Sequence, residues 1–275
     1  MPGDPAPHHD IAATPPQRSL FARALRVLAG SGYGLWLLLG SALALGLYPA
    51  GRGDALVPLA LGAVLVSLAP LAAALRLRWV PEWLGWRFGR GSRPNRKAML
   101  AMATYLPMLG VAGLARGDNL FWATRLSAAA MALCSLACLI HALDGDAGER
   151  RGQTLARVVS AGYAGGLWLW LWLCLAAQQG SVPMPINSVP WIFALQLLAL
   201  LVGGISWRRD GLARGWTGRL LFLALVYLIP GLLVLAQLHE PGELLLALAA
   251  VSCVVGKSVE PRLCRALPAP GGGAA

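Results

Sequence analysis

Ionisable side chains are scarce in the apolar parts of this 275-residue chain, and the few that stand there are where chemistry would be sought. A charged group at the centre of a membrane span costs about 3 kcal/mol or more, so each one is a functional candidate by default. Arg125 lies about one and a half turns into an apolar run and reads first as a side chain snorkelling to the nearer surface. His141 stands near the other end of the same run, followed by Asp144 and Asp146. Its reference pKa of about 6.5 suits proton exchange, while the plainer reading is a hydrogen-bonded packing residue. Cys134 and Cys138 share one helix face, with His141 a turn further on. One helix supplies no fourth metal ligand, and a cysteine in a membrane behaves as a small apolar side chain. Axial haem ligation needs paired residues at matching depth, and His141 and His239 fall on opposite sides of the membrane in the topology derived below. Neither haem nor a metal cluster is therefore expected within this chain. It contains no Cys-x-x-Cys, Walker A or Gly-x-Gly-x-x-Gly element, which argues against nucleotide chemistry.

The elements that position these residues follow from composition. Hydrophobic residues make up 57% of the chain and charged residues 13%, with a mean hydropathy of +0.62. A soluble domain carries about 25% charged residues, so an ordinary soluble enzyme is excluded. Apolar stretches of the length needed to cross about 30 Å of hydrocarbon lie near 27–48, 55–75, 98–115, 120–143, 156–178, 189–206, 218–238 and 242–258. They are rich in Leu and Ala and lack a period of two, so they predict helices and not strands of a barrel. The expectation is an all-α polytopic bundle of eight transmembrane helices over 23–262. Proline-rich tails flank it at 1–22 and 263–275, with too little apolar surface to fold. The first run is long enough to span and lacks a clear cleavage site, so it is expected to be retained.

Alternating the loops puts twenty of the 23 Lys and Arg residues on one side and only Arg52 and Arg116 on the other. By the positive-inside rule both termini are expected to be cytoplasmic. The formal charge of +11 is then topological and does not imply a nucleic-acid partner. Trp79, Trp83, Trp86, Trp122, Trp191, Trp207 and Trp216 fall near predicted helix ends, as an interfacial belt would.

The densest polar segment is the second cytoplasmic loop, from Arg76 to Lys97. It holds Arg76, Arg78, Arg87, Arg90, Arg93, Arg96 and Lys97 with three Trp and one acid, Glu82. One reading is a juxtamembrane segment held by anionic membrane lipid at about 1 kcal/mol per cation. The other is a docking surface for a soluble cytoplasmic partner, anchored by Trp and Arg.

Several short motifs resemble one family. Ser31-Gly-Tyr-Gly-Leu-Trp-Leu-Leu-Leu-Gly40 is similar to the Gly-Tyr-Gly-Leu stretch of the membrane anchor subunits of dimethyl sulfoxide reductase and of the membrane subunit of cytoplasmic sulfite dehydrogenase. Pro81-Glu82, Trp86-Arg87, Ser92 and Arg96, then Ala103-Thr-Tyr-Leu-Pro107, resemble the family's second cytoplasmic loop and the helix after it. Gly256-Lys-Ser-Val-Glu-Pro-Arg-Leu263 resembles its C-terminal motif. The resemblance implies eight helices and a subunit that exchanges electrons between menaquinone or ubiquinone and a four-cluster iron–sulfur subunit, which serves a molybdopterin catalytic subunit. Leu77, or Arg76 or Arg78 in a slipped register, stands where that family has a His associated with quinol handling, and Lys97 where it has a Glu. Neither Leu nor a permanently charged Arg can accept a proton as electrons leave. The groups on the cytoplasmic side left to do so are His141, Glu82 and Glu260, with Trp86 and Tyr105 able to complete a quinone pocket.

Two functions are therefore expected to compete. The first is a quinone-interacting membrane anchor that docks the iron–sulfur subunit through its basic loops. The second is a non-redox small-molecule transporter or accessory membrane protein, in which helices broken at Pro107 and Pro230 line a cavity.

Overall fold

The computed structural model describes residues 20–48, 54–75, 82–86, 93–114, 121–143, 151–178, 189–209, 216–237 and 243–263. Each of the eight apolar runs falls on helix. These are α1 (Leu20–Leu45), α2 (Leu56–Ala74), α3 (Arg96–Ala103) continued by α4 (Tyr105–Leu114), and α5 (Trp122–Ala137) extended by a π turn at Cys138–Ala142. They continue with α6 (Arg151–Gln178), α7 (Val189–Arg209), and α8 (Trp216–Leu223), which a π turn at Ala224–Leu228 joins to α9 (Ile229–Ala236). The last is α10 (Glu243–Leu263). Six of these helical stretches are long and apolar enough to cross a membrane: Leu20–Leu45, Leu56–Ala74, Arg96–Leu114, Trp122–Ala142, Gln153–Gln178 and Gly218–Ala236. Val189–Ile205 is apolar but shorter. Among the described residues there is no strand, only an isolated bridge between Trp83 and Trp86.

Two prolines set the interruptions. Pro107 has no N–H for the carbonyl of Ala103 and its ring crowds that carbonyl, and α3 gives way to α4 at Thr104. The Thr104 hydroxyl donates back to Leu100 O at 3.1 Å and lies 3.0 Å from Cys138 Sγ, where the π turn of α5 begins. Pro230 acts in the same way on the π turn before α9. The Ile229 N–H reaches Ala224 O, so in that register the next donor would be residue 230, which has none. The orphaned carbonyl is that of Leu225, and Ser252 of α10 donates to it at 2.8 Å. Gln196 of α7 donates to the neighbouring carbonyl of Tyr227 at 2.9 Å. Neighbouring helices thus satisfy what the proline frees, as hydrocarbon requires.

The chain folds as two halves with one order of elements. In the first, α2 and α5 pack on α1 and the broken α3–α4 helix packs on α5. In the second, α7 and α10 pack on α6 and the broken α8–α9 helix packs on α10. Each half encloses its own core, one built on Trp36, Leu39, Met131 and Leu139, the other on Tyr163, Leu167, Val226 and Leu246. The halves meet along α1 and α6. At their crossing a Cβ on Gly34 would run into the Ala161 carbonyl, and one on Gly165 into the backbone of Gly34 and Leu35. Lipid offers no hydrophobic drive for helices to associate, so such close backbone approach and the hydrogen bonds beside it carry the packing.

Candidate functional site

Tyr105 opens α4 inside the first half, where its hydroxyl lies 2.7 Å from Ser67 Oγ and its ring meets Trp36 edge-on at 5.5 Å. The Trp36 indole N–H donates to Leu59 O at 3.0 Å, tying α1 to α2. Glu82 and Trp86 belong to a tight turn in the basic loop. The Trp83 N–H donates to Trp86 O at 2.9 Å and the Trp86 N–H to Trp83 O at 2.8 Å, with Leu84 at φ 51° and Gly85 at φ 81°. Glycine takes that left-handed backbone at no cost, whereas leucine is strained in it. Asn95 holds the turn to the bundle, its Nδ2 donating to Leu84 O at 2.7 Å while its Oδ1 accepts from Ala98 N at 2.8 Å and caps α3.

Trp83, expected at the membrane surface and as an anchor for a partner, is instead only 7% exposed and packs against Trp86 at 6.3 Å. The turn folds its ring into the bundle, so this tryptophan is not offered outward. Arg93 and Arg96 are exposed beside it and Lys97 is half-buried. Arg76, Arg78, Arg87 and Arg90 lie outside the described residues, as do Trp79 and His239. Trp122 and Trp191 do sit exposed at helix starts, as an interfacial belt requires.

His141 is exposed on the π turn of α5, while Leu139 and Leu143 on either side of it are buried. Glu260 is half-buried on α10, within electrostatic range of Lys257 and Tyr227. The five residues considered for quinone are therefore distributed, with Tyr105 in the first half's interior and Glu260 in the second half. Arg125 does more than snorkel: its Nε donates to Ala44 O at 2.9 Å and satisfies one of the last carbonyls of α1. Among the described residues no three of His, Cys, Asp and Glu come together as a metal would need.

What the structure does bring together is a pair of matching clusters. Tyr33 of α1 stands by Cys138 and Tyr105, and Tyr163 of α6 stands by Cys253 and Tyr227. In each half a tyrosine from the first helix meets a cysteine from the fourth. Both sit with a second tyrosine just ahead of the proline that breaks the third. In the second cluster Tyr163 and Tyr227 stack at 5.7 Å, and the Tyr163 hydroxyl is buried without a hydrogen-bond partner. The signal lay in the sequence, in Arg26-Val27 and Arg157-Val158, each followed by a Gly-Tyr step and then Leu-Trp-Leu, and in Tyr105-Leu-Pro107 and Tyr227-Leu-Ile-Pro230. Unequal spacing within the motifs and the long basic loop in the first half hide the repeat.

One end of the α1–α6 seam opens into a cavity of about 250 Å³. Small residues make the room, Gly30 and Ser31 from α1 with Ser160, Ala161 and Ala164 from α6. Val27, Leu139 and Leu143 close one side, and Arg26, Arg157 and Lys257 line the rest. Lys257 donates to the Ser160 carbonyl at 2.5 Å and also to its hydroxyl. The starts of α1 and α6 and the ends of α5 and α10 thus lie at one end of the bundle.

Fold and composition together define a polytopic, all-helical membrane protein. Compared with protein-family models, curated proteins and solved structures, the chain matches none.

Proposed function

We propose that this chain is the eight-helix membrane anchor of a molybdopterin oxidoreductase complex of the dimethyl sulfoxide reductase type. Both its termini are cytoplasmic, in a bacterial inner membrane. In this reading it docks an iron–sulfur subunit through its basic cytoplasmic face and passes electrons between that subunit and menaquinone or ubiquinone. The observation that carries the reading is the Trp83–Trp86 turn, pinned by Asn95 to the start of α3. A segment held only by lipid charge needs no fixed backbone, whereas a docking surface gains affinity from preorganisation. Arg93 and Arg96 are exposed near this turn, at the end of the most cationic loop. α7 and α10 cross the membrane as the sixth and eighth spans, which the alternation of charge requires.

The quinone contact falls at the exposed turn carrying His141, whose imidazole can take a proton as electrons leave. The transporter reading is favoured by one observation, the pairing of two similar halves with proline-broken third helices. Its weakness is that Ser252 and Gln196 already occupy carbonyls that a substrate would use.

The docking reading is tested by charge reversal. Arg93→Glu with Arg96→Glu should release the iron–sulfur partner from washed membranes into the soluble fraction while the anchor stays membrane-bound. Retention of the partner at wild-type levels by that variant would refute docking through this turn.

A further inference from the structure

We propose that a file of protonatable side chains in the second half, Glu260, Lys257, Cys253 and Tyr163, exchanges protons between the end of the bundle where α6 starts and the interior beside Tyr227. The route does not depend on the electron-transfer reading.

Cys253, Lys257 and Glu260 follow one another at spacings of four and three on α10, so they share one face of that helix. Lys257 lies within electrostatic range of both of the others. Its ammonium donates to the Ser160 carbonyl at 2.5 Å and also to the Ser160 hydroxyl. Three residues further along α6, Tyr163 stands by Cys253, four residues back along α10. Successive rungs between two antiparallel helices thus carry groups that hold a proton. Tyr163 is 1% exposed and its hydroxyl has no hydrogen-bond partner, which is unfavourable in hydrocarbon until an acceptor reaches it. Its ring stacks on Tyr227, whose hydroxyl donates to Ala199 O at 3.4 Å and closes the file.

The cavity at the α1–α6 seam reaches Lys257 and Ser160 directly, and its volume of about 250 Å³ has room for several waters at about 30 Å³ each. Arg26 of α1 and Arg157 of α6 also line it. A guanidinium does not release a proton, whereas a lysine taken out of water can. Each step takes one proton and gives one up. Water or the Glu260 carboxyl hands a proton to the Lys257 amine, and the ammonium releases one to cavity water or to the Ser160 hydroxyl. The Tyr163 hydroxyl and the Cys253 thiol exchange theirs in turn, so no net charge is left in the interior.

The repeat supplies the contrast. Tyr33 and Cys138 form the matching pair of the first half. Gly30 stands three residues before Tyr33, where Ser160 precedes Tyr163, and Ala142 stands four residues after Cys138, where Lys257 follows Cys253. His141, on the same turn as Cys138, is exposed. The tyrosine–cysteine pair is therefore built twice, and only in the second half does a lysine approach it along the cysteine's own helix face.

The test follows thiol exchange in the purified full chain in phosphatidylcholine nanodiscs, by the infrared shift from S–H to S–D on transfer to heavy water. The Cys253 and Cys138 bands are identified by their loss in Cys253→Ala and Cys138→Ala. Cys253 should exchange about tenfold or more faster than Cys138. Lys257→Met and Lys257→Arg should each slow Cys253 by about tenfold or more and leave Cys138 unchanged. Arginine keeps the charge and the donors toward Ser160 but cannot hand on a proton, so it would rescue a lysine whose role was only structural. Less slowing than that in either variant overturns the proposal, as does equal slowing of both thiols. Should neither lysine variant fold, the wild-type chain decides: Cys253 ahead of Cys138 by that margin supports the route, and a smaller difference overturns it.

Discussion

A side chain on Gly165 of α6 would run into the backbone of Gly34 on α1, and one on Gly34 would run into the backbone of Ala161 and Gly162, one turn back along α6. That contact joins the two halves, and it makes the seam intolerant of volume. Gly34→Leu or Gly165→Leu should cost about 3 kcal/mol or more by forcing the helices apart, measured by unfolding in mixed micelles. Gly162→Ala, three residues away with nothing within 4 Å of the added Cβ, should leave stability unchanged or raise it by up to about 1 kcal/mol. Equal effects at the three positions would show that the seam is not packed as described.

Ser252 is present on α10 to satisfy the Leu225 carbonyl that Pro230 leaves without a donor. Ser252→Ala should therefore cost about 1 to 2 kcal/mol. In a Pro230→Ala background, where residue 230 regains its N–H, the same change should cost little. A double-mutant cycle reads this coupling directly, and additive costs would contradict it.

Asn95 acts through two atoms, capping α3 with its oxygen and holding Leu84 with its nitrogen. Asn95→Ala should cost about 1 to 2 kcal/mol and free the turn. Asn95→Asp retains the cap but not the amide donor, so it should spare helix stability while speeding amide exchange at Trp83 and Trp86.

The helices and their breaks were legible in the sequence because both follow from local chemistry. Apolar length set the eight runs, and Pro107 and Pro230 marked two interruptions. The site was less legible for a physical reason. Arg26, Arg157 and Lys257 read as topology charges when counted by loop, and only the close crossing of α1 and α6 brings them around one cavity. Trp83 read as an interfacial residue because its position near a helix end carries no sign of the turn that folds it inward. The repeat is masked in the sequence because its motifs recur with one- or two-residue insertions that a helix absorbs by rotating its faces.

His141 is exposed on the α5 π turn, and in the proposed electron-transfer reading its imidazole is the proton acceptor. His141→Ala should lower quinone-linked electron transfer by about a hundredfold in membranes while leaving the amount of anchored complex unchanged. Unaltered quinone reduction in that variant would remove His141 from the mechanism without touching the docking role.

The most direct test of the account is purification of the tagged chain from its native membranes in mild detergent, with partners identified by mass spectrometry and Mo and Fe measured in the same fraction. The account predicts two soluble subunits, one rich in iron and one containing molybdenum, in fixed proportion to the chain. A solitary, metal-free protein would contradict it.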